Sequence, residues 1–149
     1  MLKLLSDLKK ANRFDKTATA GVIASGVTGT WVTLDSNDHF DLPSGATRLA
    51  FCVWTESNRD GTVGWTPDVG VTGKLTAFDG YLRAITDQVT DYASLAQGDN
   101  LTVDANGKLA KTTIAGDTEN YAIAVVMRKI DSITVLGTTY TNCIEFTTK

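Results

Sequence analysis

An acidic turn within residues 98–113, GDNLTVDANGKLAKTT, is the stretch whose residue types could bind a metal ion. Asp104 and Asn106 carry the oxygen atoms that calcium prefers, at the first and third positions of a helix–loop–helix calcium loop. Such a loop also needs glycine at its sixth position and a bidentate glutamate at its twelfth. Leu109 and Ala115 occupy those positions here, so the sequence predicts no metal site.

The same stretch has the pattern of a β-hairpin. Asn106-Gly107 accepts the positive φ angles of a type I′ turn. Leu101 and Val103 before the turn, and Leu109 after it, can then point to one side of a sheet. We therefore predict that this turn has a structural role.

His39 is the single histidine of the chain, and histidine is the most common general base in enzymes. It stands in LDSNDHFDLP beside Asp35, Ser36, Asp38 and Asp41, which together have the residue types of a serine-hydrolase triad. A triad is assembled from distant segments, because neighbours in one turn cannot usually aim their side chains at one another in that geometry. The sequence therefore predicts an exposed polar turn and no catalytic residue.

Other reactive groups lack the neighbours that their chemistry requires. Cys52 and Cys143 lie in the apolar runs AFCVW and NCIEF, without zinc-site spacing, and are predicted to be core residues. A disulfide between them stays open at this point. The glycine-rich residues 21–29, GVIASGVTG, lack the lysine of a phosphate-binding loop. We expect no enzyme activity and no cofactor.

Size and charge restrict the class of protein further. The chain has 149 residues, the length of one ordinary domain, and a net charge of −3 with 21% charged residues. This balance disfavours binding to nucleic-acid phosphates. No run approaches the length of apolar sequence that spans a bilayer, so no membrane partner is expected.

The composition from residue 17 onward indicates the fold class. Threonine, valine, glycine and aspartate dominate there, and these are residues typical of strands and turns. Turn signals are too closely spaced for crossover helices between parallel strands. The sequence predicts an all-β, mainly antiparallel fold, with a small barrel and a sandwich both open. The candidate strands cover residues 18–25, 29–34, 48–54, 74–78, 100–103, 108–112, 122–128, 132–136 and 139–147.

Two segments have helical spacing of their apolar residues. In residues 1–16, Leu4, Leu5, Leu8 and Ala11 form a short stripe, which predicts an N-terminal arm or helix ahead of a single β-domain over residues 17–149. The stripe can dock on the chain's own core or on a partner. The second segment covers residues 81–96, where a helical stripe competes with β-branched residues that also permit strands.

Residues 92–128 resemble the pattern of tailed-bacteriophage capsid decoration, or cement, proteins. The pattern is a Gly-Asp pair, alternating apolar residues, an aspartate, a glycine and an apolar residue, then a polar insert and a strand of the type G/A-x-A-apolar-apolar. The matching positions are Gly98, Asp99, Leu101, Val103, Asp104, Gly107 and Leu109, then Ala122, Ala124, Val125 and Val126. Many relatives have a glycine where this chain has Ala122 or Ala124. The strand at residues 30–34, TWVTL, with an apolar segment before it, is similar to the general layout of the family.

The resemblance implies a non-catalytic structural protein of the virion that needs no cofactor. Such proteins bind the outer face of an icosahedral head, often as homotrimers, and tie neighbouring major capsid subunits together. The implied partner is the major capsid protein, and the implied location is the outer capsid surface after synthesis in the host cytoplasm. The expected contacts to the capsid, or to a neighbouring copy, are Leu2, Leu4, Leu5, Leu8 and Phe14.

An alternative function comes from the three tryptophans. Trp31 and Trp54 lie in strand-like runs and are predicted to be core residues. Trp65 stands in GTVGWTPDVG, a predicted loop, where an indole can anchor a sugar ring or a protein. The alternative is therefore a carbohydrate- or receptor-binding β-module of a phage head fibre or tail.

Overall fold

A computed structural model describes residues 1–5, 11–25, 29–47, 49–54, 74–113, 122–135 and 137–149. The fold is mainly antiparallel β, which confirms the predicted class. The described strands are β1 (Leu2–Leu4), β2 (Ala11–Thr17), β3 (Trp31–Leu34), β4 (Phe40–Asp41), β5 (Phe51–Trp54), β6 (Lys74–Gly80), β7 (Arg83–Thr86), β8 (Asn100–Val103), β9 (Leu109–Lys111), β10 (Ala124–Val135) and β11 (Thr138–Thr148). The described residues also contain one short helix, α1 (Ala20–Ser25), and one 3-10 turn (Tyr92–Ser94). No described helix is long and apolar enough to span a membrane.

Six strands form the first sheet, in the order β1-β7-β11-β10-β8-β9, with antiparallel neighbours throughout. The segment after β7 returns to the far edge, where Val89 forms a parallel bridge with Leu109 of β9. The backbone N–H of Leu109 donates to the carbonyl of Gln88 at 3.0 Å. These bonds curl the sheet towards closure.

Five strands form the second sheet, in the order β2-β6-β5-β3-β4. Ala18, directly after β2, forms a parallel bridge with Phe40 of β4. The N–H of Thr19 donates to the carbonyl of Phe40 at 2.8 Å. The two edges of this sheet therefore meet, and the sheet also curls like part of a barrel.

The two sheets pack on each other through a shared core. Trp31, Cys52 and Phe78 project from the five-stranded sheet into the cluster formed by the apolar side chains of the six-stranded sheet. Their chain neighbours Val32, Val53 and Ala77 enter a second cluster with Val22 of α1 and Phe40. Successive side chains of a strand point to opposite faces, so the five-stranded sheet is a wall between two cores.

The longest strands form a hairpin that extends beyond its neighbours. Register pairs between β10 and β11 run from Ala124↔Thr148 to Val135↔Thr138. Strand β8 pairs with β10 only at Ala124 and Val125, the first two residues of β10. A third apolar cluster lies at this hairpin and includes Met1, Ile85, Val135 and Cys143. In the described part of the chain, the distal half of the hairpin is thus a two-stranded projection with its own small core.

Two predictions of local structure are wrong. Residues 18–25, predicted as a strand, hold α1 instead, because Thr, Val and Ile here are not in strict alternation and Ala20 favours a helix. Residues 122–128 and 132–136 are not separate strands: β10 runs continuously from Ala124 to Val135, with a bulge between Val126 and Arg128. Residue 136 lies outside the described residues.

The two segments with helical spacing contain strands. The N-terminal residues form β1 and β2 of the two sheets rather than a helix in their described parts. Residues 81–96 hold β7 and the 3-10 turn. Ala84 lies in the shared core and Ile85 in the hairpin cluster, which is the alternation of a strand and not the single stripe of a helix.

Candidate contact surface

The structure separates the predicted N-terminal contact residues into buried and exposed groups. Leu2 is buried in the shared core and Leu4 packs partly against it. Phe14 lies in the second core, where its ring centroid is 5.4 Å from that of Phe40. Leu5 is 43% exposed, and Leu8 lies outside the described residues. Of the described positions, Leu5 is the one whose side chain is available to a partner.

Leu5 continues β1 beside a charged cluster on the outer face of the six-stranded sheet. The N–H of Leu5 donates to the carbonyl of Arg83 at 2.8 Å. Arg83 donates through Nε to Glu145 Oε1 at 2.7 Å, and also through Nη2. Arg128 donates through Nε to the other oxygen of Glu145 at 2.6 Å. We call Leu5, Arg83, Arg128 and Glu145, with exposed Lys3, the arginine face.

The charges of the arginine face are unequally exposed. The Glu145 side chain is 4% exposed, whereas those of Arg83 and Arg128 are 46% and 63% exposed. Burial raises the pKa of the Glu145 carboxyl, but hydrogen bonds and positive charge from both arginines outweigh burial and hold that pKa below its usual value. Glu145 therefore stays ionised and fixes two guanidinium groups at the surface. The face presents positive charge on a chain whose net charge is −3.

A second contact fixes the base of the projecting hairpin. The hydroxyl of Tyr92 donates to Asp131 Oδ1 at 2.8 Å, and Lys129 Nζ lies 4.4 Å from the centroid of the Tyr92 ring. Burial, followed by the contact with Asp131, raises the pKa of Tyr92 to about 12. The hairpin is thereby held against the 3-10 turn. Lys129 pairs with Ile144, the neighbour of Glu145, so this contact lies on the opposite face of the sheet from the arginine face.

The residues of the family-like pattern have structural roles. Gly98 has a φ of +88°, and Asp99 accepts a hydrogen bond from the N–H of Ala96 at 2.8 Å and pairs with Lys111 at 2.9 Å. The apolar positions of the pattern that are buried in the shared core are Leu101, Val103, Leu109, Ala124 and Val126. The pattern therefore describes the unit β8–β9–β10, and its described side chains serve the fold.

The turn within this unit differs in type from the prediction. Gly107 has a φ of +70° while Asn106 is not among the residues with positive φ, so the turn is type I followed by a left-handed glycine, not type I′. Asp104 Oδ1 accepts hydrogen bonds from the N–H groups of Asn106 and Lys108, at 2.8 and 2.9 Å. The hydroxyl of Thr90 donates to its other oxygen at 2.5 Å. These hydrogen bonds engage both oxygens of the Asp104 carboxylate and close the turn. No described residues form a cluster that could hold a metal ion.

The histidine turn lies between β3 and β4. Asp35 Oδ1 accepts hydrogen bonds from the N–H groups of Asn37 and His39, both at 2.8 Å. The bond from the His39 amide is the main reason that the pKa of Asp35 lies below its usual value. The His39 side chain is 42% exposed, with Nδ1 3.7 Å from Asp35 Oδ2. The carboxylate thus caps the turn that carries the histidine.

The two cysteines are free and lie in different clusters. Cys52 is 1% exposed in the shared core, and Cys143 is fully buried in the hairpin cluster. Burial raises the pKa of both thiols, that of Cys143 to about 11. Neither thiol is therefore a candidate nucleophile, because the thiolate is the reactive form.

A thiol assay tests this placement. At about pH 8 the folded protein is expected to react with Ellman's reagent on the order of a hundredfold more slowly than the protein in guanidinium chloride, where both thiols react. The control is a small exposed thiol such as glutathione under the same conditions. Rapid reaction of either cysteine in the folded protein would contradict the buried positions.

The tryptophan predictions are only partly covered by the described residues. Trp31 is 2% exposed and packs against Phe146, with ring centroids 5.9 Å apart, which confirms it as a core residue. The side chain of Trp54 and all of Trp65 lie outside the described residues.

The arginine face was not predicted from the sequence. Its one local signal is Glu145, a single acidic residue in the apolar run CIEF of a predicted strand. A charge inside such a run indicates a partner from another strand. Nothing local identifies Arg83, which lies 62 residues earlier in the chain.

Comparison with known proteins adds no family to these observations. No protein-family model and no curated protein sequence matches the chain. The function must therefore be inferred from the residues and contacts described above.

Proposed function

We propose that this chain is a virion structural protein, a capsid decoration protein that binds the outer surface of an icosahedral phage head. The observation that supports it most is the correspondence between the family-like pattern and one structural unit. Its Gly-Asp pair lies in the turn before β8, and its buried apolar positions, turn aspartate and glycine fall in the hairpin β8–β9 or the adjoining β10. The mainly antiparallel all-β fold is compatible with a structural role.

The proposed contact to the major capsid protein is the arginine face. Leu5 supplies exposed apolar area, and Arg83 and Arg128 supply guanidinium groups that Glu145 holds in place. Arginine beside an apolar anchor is a common composition of interface centres. In a homotrimer, binding of one subunit to the head raises the effective concentration of the other two contact surfaces. The affinity of each single contact can therefore be modest. In this proposal the protein works on the outer capsid surface, without cofactor, after synthesis in the host cytoplasm.

Co-sedimentation with undecorated heads of the parent phage tests the proposal. Wild-type protein is expected to pellet with the heads and to protect them from heat. Leu5→Asp places a charge in the proposed contact and should weaken binding by roughly tenfold or more, as loss of an interface anchor does. It is a cleaner change than deletion of the arm, because deletion would also remove Leu2 from the shared core.

Leu49 provides the matched control, since it is a leucine that is 72% exposed and lies outside the arginine face. Leu49→Asp should bind heads like the wild type. Equal losses in both variants would count against the arginine face. Failure of the wild type to bind heads, together with glycan or cell binding that Trp65→Ala abolishes, would replace the proposal with the carbohydrate- or receptor-binding alternative.

A further inference from the structure

The turn between β8 and β9 contains Asn106, the only asparagine of the chain that is followed by glycine. Asparagine is a thermally labile residue, because the backbone nitrogen of the next residue can attack its side-chain amide. Glycine favours this attack most, since it has no Cβ atom to restrict the backbone angles that the attack needs. Asn106 is exposed, so its side-chain amide is accessible to water. Whether it reacts therefore depends on the backbone nitrogen of Gly107.

The folded turn keeps that nitrogen from reacting. The N–H of Gly107 donates to the carbonyl of Asp104 at 3.0 Å, and the nitrogen must lose this proton to attack. The Gly107 carbonyl is also bound, since it accepts from the N–H of Trp31 at 2.8 Å. Asp104 Oδ1 fixes the rest of the turn by accepting from the N–H groups of Asn106 and Lys108. The nitrogen cannot turn towards the Asn106 side chain without breaking these bonds.

We propose that Asn106 is a site of spontaneous covalent modification that the hydrogen bonds of the folded turn keep closed. In the open turn, the Gly107 nitrogen loses its proton and forms a bond to Cγ of Asn106. The Cγ–Nδ2 bond breaks, and ammonia leaves with that proton. Water then opens the cyclic imide. Cleavage of the nitrogen's bond to Cγ gives aspartate, whereas cleavage of its bond to the backbone carbonyl carbon gives isoaspartate.

The isoaspartyl product does not fit the native turn. Its main chain runs through the side-chain carbons, which adds one atom to the backbone between β8 and β9. The turn has no space for displaced atoms, because a Cβ atom on Gly107 would already lie 2.5 Å from the Trp31 carbonyl oxygen. The aspartyl product keeps the original backbone and an exposed side chain. A chain that forms isoaspartate while the turn is open therefore cannot rebuild the native turn.

Ageing at mildly alkaline pH, followed by peptide mapping with mass spectrometry, tests the proposal. Asn106 in the native protein is expected to lose ammonia at least roughly tenfold more slowly than in guanidinium chloride, since open states of a folded segment are minor. Asn100, which precedes Leu101, is the internal control and should react more slowly than Asn106 in the denatured protein. Equal rates at Asn106 in the native and denatured protein would overturn the proposal.

Two variants separate the turn from a general loss of stability. Asp104→Ala removes the acceptor that fixes the turn, so it should raise the native-state rate at Asn106 by roughly tenfold, the effect of losing hydrogen bonds to a charged group. Asp35→Ala is the matched control, because Asp35 Oδ1 closes the histidine turn with the same pattern of two N–H bonds. It should leave the rate at Asn106 unchanged. Equal acceleration in both variants would overturn the role of this turn's hydrogen bonds, and if Asp104→Ala does not fold, the comparison of native and denatured protein decides.

The fate of the two products is measured after refolding. Aged, denatured protein is returned to native buffer, and the folded fraction is separated by size-exclusion chromatography. Isoaspartate at position 106, detected with an isoaspartyl methyltransferase, is expected in the fraction that does not refold. Asn106→Asp supplies the other product directly and should unfold at the urea midpoint of the wild type. Isoaspartyl chains that refold with wild-type stability would show that the turn tolerates the extra atom and would contradict the proposal.

Discussion

Replacement of Gly107 by alanine is expected to destabilise the fold by about 3 kcal/mol or more, the range reached by strain at a special backbone position. A Cβ atom at Gly107 would lie 2.5 Å from the Trp31 carbonyl oxygen and 2.6 Å from Thr30 Cγ2. The turn cannot retreat freely, since the N–H of Trp31 donates to the Gly107 carbonyl at 2.8 Å. The φ of +70° adds the cost of a left-handed residue with a side chain. Urea unfolding at neutral pH measures the effect.

Gly98→Ala is the matched control for Gly107→Ala. Gly98 also has a positive φ, +88°, but a Cβ atom there would have no neighbour within 4 Å. Its substitution should therefore cost only the backbone strain, about 1 to 2 kcal/mol. Equal losses for the two variants would show that the close approach of the β8–β9 turn to β3 does not matter for stability.

Glu145→Gln is expected to destabilise the protein by about 2 kcal/mol at neutral pH, because hydrogen bonds to a charged group are lost. Glutamine has one acceptor oxygen, so its amide N–H₂ would face one of the two guanidinium groups that the carboxylate now satisfies. The exposed parts of Arg83 and Arg128 can regain water, which keeps the loss below that of a fully buried pair.

The pH dependence identifies the charge as the cause. The folded-state pKa of Glu145 lies below its ordinary value of 4.5, so its contribution to stability is present above that value. As the pH falls below 4.5 and through the folded-state pKa, the carboxyl becomes neutral and the contribution is lost. The stability difference between wild type and Glu145→Gln should therefore shrink in acid. A difference that is constant from neutral pH to below the folded-state pKa would mean that shape, and not charge, is responsible.

The sequence predicted the strands best where the apolar alternation and the flanking turns agree. Strand β8 has the predicted bounds, since a Gly-Asp turn precedes it and the DANG turn follows it. Leu101, Val103 and Leu109 enter one core, as alternation requires. The type of the turn could not be predicted in the same way, because Asn-Gly is compatible with more than one hairpin turn.

Strand β2 shows what local patterns miss. Phe14 is the only large apolar residue of Ala11–Thr17, so no alternation marks the strand. It forms because β6 pairs with it over its full length, from Ala11↔Gly80 to Thr17↔Lys74. Partners this distant in sequence are set by tertiary structure, which overrides β propensity.

Prediction of the arginine face would have required the same long-range information. Leucine spacing predicted contact residues at the N-terminus, and Leu5 is exposed there. Leu2 is buried and Phe14 is partly buried by sheets that the spacing does not describe. Arg83, Arg128 and Glu145 meet because β7, β11 and β10 are neighbours. That order of strands has no signature in any one segment.

Because the five-stranded sheet is the wall between the two cores, the stability of each core depends on the other. Opening the core at α1 would expose one face of β3, β5 and β6 to solvent. The other face of the same strands forms one side of the shared core. Neither core can be lost without removing a boundary of its neighbour. Both are therefore expected to melt in one cooperative transition, with the amides of these three strands among the slowest to exchange with solvent.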